Sequence, residues 1–445
     1  MITTVVGRTF LNAYNIKYKK QLTPKEFFVE VFHSLFYNHN KYLMPGGNSP
    51  LENPKLSWEK MAKGFISYES SDQRDERLLK FLNKAEEANG IVDASIAMGY
   101  PASEITSATS GMVSDIIIPT NEDEIYLSWI GGGLGIGVAG GYTILFDDAL
   151  ITLQTFEGWK VYRKFMNDRT LEKLRGNQIG TWNGQWLSYS LDQNKFQEDF
   201  DFGILTDEKI FSIDSEKIEV NTINWSKLFF SLSQLYPNKS LMAYFYGFGQ
   251  TNKTIGFIPF QLKSGTKLKQ IYKQLTVVES SLSTKDFESL FGMHIKRACE
   301  LGSIGLHALR PDGLVKYMNE NKNISFKNDD DKVNYFIYKT WLIAMMSKNK
   351  EEVTEYTLEL ARTILRYRNS GTKNDRKNLV EKELFEAKSK KGFIEHLTTM
   401  VKDLDEQDLS QIKNLKDEIH LMTNEEFGYF STLLKFDYAY LEKQS

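Results

Sequence analysis

Cysteine is all but missing from this chain of 445 residues: Cys299 stands alone. That excludes an intramolecular disulfide and any zinc site built from clustered cysteines, and it fits a reducing cytosol. Proline is scarce at nine residues, so long Pro-rich linkers are excluded. The six histidines are scattered, with no HExxH or other paired spacing, and each reads as a satisfied or exposed side chain. No Walker A sequence is present, and Asp329-Asp330-Asp331 lacks the spaced ligands and distal Glu of an EF-hand. The start, MITTVVGRTF, has no basic region followed by an apolar one, so no signal peptide is expected. No cofactor and no catalytic constellation emerge from this inventory.

What is present describes a folded protein of two or three domains, with 41% hydrophobic, 13% aromatic and 25% charged residues. Between Glu124 and Asp147 charge is absent over IYLSWIGGGLGIGVAGGYTILF, Ile125 to Phe146. The run is long enough to span a bilayer, but its glycines disfavour a helix and its acidic flanks give no orientation cue. A glycine-rich strand–loop–strand is the expectation, with a membrane-attached protein as an alternative. Gly135 to Gly140 matches GxGxxG, but it runs into YTILF, which prefers strand, and no basic residue lies near it. A close backbone approach at a hairpin or bulge is the reading.

Three regions follow from the pattern. Residues 1–111 read as mostly helical, with a capping box at Thr23-Pro24-Lys25-Glu26, a buried helix FFVEVFHSLFYNH, and a charged helix from Ser71 to Ala88. Residues 112–284 read as strand-rich: DIIIP, EIYLSWI and YTILF are strand runs, Asn183-Gly184 a two-residue hairpin turn, and MAYFYGFGQTNKTIGFIPF a second hairpin. One helix through FEGWKVYRKFMN interrupts them. Residues 285–445 read as a C-terminal helical bundle, with Val353, Tyr356, Leu360, Ile364 and Tyr367 forming an amphipathic stripe. The fold class is therefore α+β, a mixed N-terminal body with antiparallel strands followed by the bundle.

Two constellations compete for function. Asp312, Glu320 and Lys322 resemble the PD-(D/E)xK pattern of metal-dependent nucleases, although the intervening residues read as a short helix entered through a Pro-Asp-Gly turn. The other is a basic segment, Ala361 to Lys391, in a chain with formal net charge −3. Arg362, Arg366 and Arg368 close one helix, Lys373 lies between, Arg376 and Lys377 open the next, and Lys388 and Lys391 follow. A helix dipole alone favours cations at its C-terminus, but continuation past the helix end suggests a ridge for phosphates. Lys263 and Lys267, within SGTK and its neighbours, add a basic helix face suited to phosphate contact. Trp182, Trp186, Tyr244, Tyr246 and Phe248 are aromatics able to stack bases, or to lie buried in a sheet.

This order of parts resembles the Cas8 large subunits of type I CRISPR surveillance complexes, through GGGLGIGVAGG, the FEGWKVYRKFM helix, and YFIYKTWLIAMMSKN onward into the basic segment. The cysteine pairs of some relatives are missing, so no zinc role is carried over. The resemblance implies a cytoplasmic, non-catalytic subunit that binds guide RNA and target double-stranded DNA. Such a subunit inspects the motif flanking the target, stabilises the opened duplex, and works beside other complex subunits and a separate helicase-nuclease, with no membrane. It assigns flanking-motif reading to Gly131–Gly141 or to the hairpin tip Gln250-Thr251-Asn252-Lys253, where Gln250 and Asn252 suit base edges and Lys253 a phosphate.

Overall fold

Thr23 starts the second helix as its capping box dictates. Its hydroxyl accepts from the Glu26 N–H at 3.2 Å, and the Glu26 carboxylate accepts from the Thr23 N–H at 2.8 Å. The computed structural model describes residues 1–47, 49–52, 60, 65–88, 92–102, 118–193, 195–247, 253–276, 291, 295–311, 313–320, 324, 329–346, 350–370 and 374–444. They form two compact units, Met1–Phe260 and Gln261–Ser445, where the sequence suggested three regions.

The first unit opens with α1 (Ile2–Tyr18), α2 (Pro24–Phe27), a π-helical segment Phe28–His33, α3 (Ser34–Phe36) and α4 (Ser71–Glu87). It continues with α5 (Glu122–Gly133), β1 (Ile136–Val138), β2 (Tyr142–Phe146), α6 (Ala149–Asn167) and α7 (Ile179–Ser190). Then come α8 (Phe202–Asp207), β3 (Phe211–Ile213), β4 (Ile218–Val220), α9 (Trp225–Leu235), β5 (Ser240–Gly247) and β6 (Lys253–Gln261). One apolar core runs through residues of both the first and second expected regions, from Val6 to Val220. Phe10, Phe27, Phe32, Phe36, Trp159 and Trp182 are fully buried in it, each contributing about 1.5–3 kcal/mol by leaving water. A four-stranded sheet in the order β1-β2-β5-β6 lies beside α9, whose Trp225 stacks on Phe245 at 4.9 Å; β3 and β4 form a separate antiparallel pair.

Two expectations for this unit are corrected. EIYLSWI is not a strand: it belongs to α5, capped by Asn121, whose side chain accepts from the Glu124 N–H at 2.9 Å. The three acidic residues of its first turn complement the helix dipole. Asn183-Gly184 is no hairpin turn either, since both lie inside α7. Buried Asn183 donates to the carbonyls of Gly133 (2.8 Å) and Gly135 (2.9 Å) and accepts from Trp159 Nε1 at 3.2 Å.

The glycine-rich run is therefore split. Its first half is the end of α5, which crosses α1 so closely that a Cβ at Gly7 or Gly131 would overlap the facing backbone carbonyl. Its second half is the β1–β2 hairpin, which turns at Gly140 and Gly141 with φ of 93° and 76°, values that L side chains rarely adopt. The expected strand at YTILF and helix at FEGWKVYRKFMN are both present, as β2 and α6. Among the described residues no helix is long and apolar enough to cross a membrane.

The second unit is helical: α10 (Lys263–Thr276), α11 (Ile295–Leu301), α12 (Leu314–Asn319), α13 (Asp329–Met345), α14 (Lys350–Asn369) and α15 (Asn374–Asn378). After a π-helical segment Leu379–Leu384 follow α16 (Lys390–Met400), α17 (Glu406–Leu421) and α18 (Asn424–Gln444). α18 packs along α14 and α13, and α13 packs on α10. Leu360, Ile364 and Tyr367 of the expected stripe are buried. The bundle also encloses an ion pair: Lys339 Nζ and the Tyr335 hydroxyl each donate to Asp437 Oδ1 at 2.7 Å.

Candidate nucleic-acid interface

The helical period decides which basic side chains share a face. On α14, Leu360, Ile364 and Tyr367 turn inward, so Arg362, Arg366 and Asn369 fall together on the exposed side. With Leu365, Ser370, Leu441 and Gln444 they line an open groove of about 760 Å³. Among the described residues its lining holds two guanidiniums, three neutral polar side chains and no carboxylate. Arg362 is exposed and has no ion-pair partner among the described residues. Arg366 reaches beneath the rim to Asp408 at 2.5 Å and Thr363 Oγ1 at 3.0 Å. It still leaves 59% of its side chain exposed, whereas that of Asp408 is 10% exposed. The guanidinium thus lids a buried carboxylate while keeping donors free for a ligand.

The rest of the basic segment is spread over structural duties. Arg368 bridges Glu381 (3.1 Å) and Glu442 (2.9 Å), tying the π-helical segment and α18 to the end of α14. Arg376 lies over the Tyr367 ring at 4.9 Å, donates to Ser370 Oγ at 2.6 Å and pairs with Asp403 at 3.1 Å. Burial, and then the Asp403 carboxylate, push the Tyr367 hydroxyl above its ordinary pKa. Lys377 and Lys391 make long pairs with Glu381 (3.9 Å) and Glu395 (3.8 Å), and their own side chains are 52% and 87% exposed. Such solvated pairs contribute about 0.3–0.5 kcal/mol and leave the ammonium groups open to other anions. Lys388 is exposed, and Lys373 lies outside the described residues.

Lys263 is exposed at the start of α10, while Lys267 donates to the Ala344 carbonyl at 2.7 Å, in the last turn of α13. A cation there complements the helix dipole. Gln250 and Asn252 lie outside the described residues, and Lys253 opens β6. Within Gly131–Gly141 only the turn residues Gly140 and Gly141 are exposed. Trp182 and Trp186 are core residues, Tyr244 and Tyr246 are half-buried, and Phe248 lies outside the described residues. Of the nuclease pattern, Glu320 caps the end of α12, while Asp312 and Lys322 lie outside the described residues. Among the described residues no three His, Cys, Asp or Glu gather as metal ligands.

Asn369, Ser370 and Gln444 are groove residues that the charge pattern did not single out. The first two carried a signal, following Arg366 at the end of an amphipathic helix. Gln444 carried none, because its place depends on α18 returning along α14. No family model, no curated protein and no solved structure matches this chain.

Proposed function

We propose that this chain is a non-catalytic, nucleic-acid-binding large subunit of a CRISPR RNA-guided DNA surveillance complex, whose C-terminal helical bundle holds a phosphate backbone. The observation that carries the reading is the groove at the end of α14. Arg362 and Arg366 present guanidiniums to solvent from one helical face, on a rigid element, beside Asn369, Ser370 and Gln444, with no carboxylate among the described residues of the lining. Guanidinium pairs on a fixed frame suit phosphate oxygens, and neutral amide and hydroxyl neighbours add hydrogen bonds without repelling a polyanion. The order of parts, an α+β body followed by a helical bundle, supports the same assignment. In this reading the exposed Gly140-Gly141 turn and the β5–β6 connection are the elements that inspect the target-flanking motif, and a separate helicase-nuclease does the cutting.

The test is capture of the tagged chain from its native cells, followed by sequencing of bound RNA and identification of co-purifying subunits. Repeat-derived guide RNA together with a defined set of partner proteins is the expected result. RNA no more abundant than in an untagged control, or Mg²⁺-dependent cleavage by the purified chain that Glu320→Ala abolishes, would overturn it.

A further inference from the structure

The first unit carries a basic cluster that the C-terminal groove does not explain. α1 ends in Ile16-Lys17-Tyr18 and continues into Lys19 and Lys20. The chain leaves the helix with Lys19 at φ 53°, and its N–H groups there return to the carbonyls of Asn15 and Ile16. Asn15 then clasps Leu22 twice: its Nδ2 donates to the Leu22 carbonyl at 2.9 Å, and its Oδ1 accepts from the Leu22 N–H at 3.1 Å. Lys19 and Lys20 are thus exposed on a short, tied-down turn.

α6 packs beside α1 and brings Lys160 to the same place. The Lys17 and Lys160 ammonium groups lie 5.3 Å and 5.5 Å from the centre of the Tyr18 ring, and both pair with Glu157. The Tyr18 hydroxyl also donates to that carboxylate. Lys164, one turn beyond Lys160, is exposed. Two lysines therefore share one glutamate, three more exposed lysines adjoin them along α1 and α6, and Lys19, Lys20 and Lys164 have no carboxylate partner among the described residues.

We propose that this corner of the first unit is a second contact for a nucleic-acid phosphate backbone. The proposal rests on the reading that the chain binds nucleic acid, but not on the C-terminal groove. Glu157 and the Tyr18 ring fix the directions of two ammonium groups, and the Asn15 clasp fixes the turn that bears two more. A polyanion then meets positioned point charges and orders little of the protein on binding. A membrane contact would need an apolar face to insert. Here the one large aliphatic side chain beside the lysines with high exposure, among the described residues, is Ile16, at 81%.

The test uses the full chain carrying Lys19→Glu, Lys20→Glu and Lys164→Glu, positions whose side chains hold no partner among the described residues. Binding to a duplex DNA and to a single-stranded RNA of mixed sequence is titrated over salt. Affinity should fall alike on all sequences, with the log–log salt slope flattening by up to about 0.9 per lost contact on duplex and about 0.7 on single strand. An unchanged slope with fold intact by circular dichroism overturns the proposal. So does loss of binding to anionic-lipid vesicles with nucleic-acid binding unaltered, and so does a wild-type chain that binds neither nucleic acid. Arg362→Glu run in parallel separates the two sites. If only the lysine variant flattens the slope, the groove reading fails and this one stands; if only Arg362→Glu does, the reverse holds.

Discussion

Removing Asp437 should weaken the C-terminal bundle more than any other single carboxylate truncation in it. Its side chain is fully buried, and that of Lys339 is 4% exposed. Oδ1 takes both Lys339 Nζ and the Tyr335 hydroxyl, while Oδ2 has no hydrogen-bond partner among the described residues. Asp437→Ala leaves an ammonium group in an apolar interior beside Tyr335 and Tyr440, whose rings stack at 4.4 Å. Breaking a buried pair from one side costs about 3–5 kcal/mol, because the remaining charge is stripped of both water and partner. Replacing both members by apolar residues of similar volume, Lys339→Met with Asp437→Leu, should recover most of that loss, since the pair bears its own desolvation cost. Hydrogen exchange of peptides from α13 and α18 reads this locally. Opening should become about 10²- to 4 × 10³-fold more frequent in Asp437→Ala, at ~1.4 kcal/mol per decade, and return towards wild type in the double variant. Exchange in Asp437→Ala within threefold of wild type would refute the reasoning.

Three further outcomes follow from the first unit. Gly131→Ala inserts a methyl group into the α1–α5 crossing, where the facing Thr3 carbonyl leaves no room, and should lower the urea midpoint by an amount equivalent to about 1–3 kcal/mol or more; an unchanged midpoint would mean the helices do not touch there. Asn183→Leu strips the Gly133 and Gly135 carbonyls and the Trp159 indole N–H of their partner, at about 1–3 kcal/mol for each group left bare, and a thermal melt matching wild type would contradict that network. Burial holds the His33 imidazole down to about 4, so as pH falls from about 6.5 towards 4 the unfolded chain takes the proton first and stability drops, by up to about 3 kcal/mol. His33→Phe should flatten the acid limb of a stability–pH curve, and an identical limb in both proteins would sink the idea.

The elements legible in the sequence are those with local causes. The Thr23 capping box, the charged helix at Ser71, the β-branched run YTILF and the amphipathic stripe on α14 each specify themselves within a few residues, so the α+β class and the C-terminal bundle could be read directly. What could not be read depends on distant partners. The aromatic run YLSWI prefers strand by composition, yet Asn121 with Glu124 caps a helix there, and the glycines that end it sit where Thr3 of α1, Met98, and the Phe32 and Phe36 rings press close. Asn-Gly favours a turn, yet Asn183 is held in a helix by carbonyls of residues 133 and 135. The basic segment was legible as charge but not as a surface. Asp403, Asp408 and Glu442, which engage Arg376, Arg366 and Arg368, lie 27 to 74 residues further along the chain.

The groove at the end of α14 carries the proposed phosphate contact, and a salt titration of nucleic-acid binding probes it with the fewest intervening steps. Arg362→Glu changes a guanidinium with no ion-pair partner among the described residues, so circular dichroism should be unaltered. Arg366→Gln, added to it, removes the second groove cation. Binding should weaken on every duplex regardless of flanking sequence, and the log–log salt slope should flatten by up to about 0.9 for the first change and by a similar step for the second. A slope equal to wild type in both variants, with the fold intact, would contradict the proposed phosphate contact.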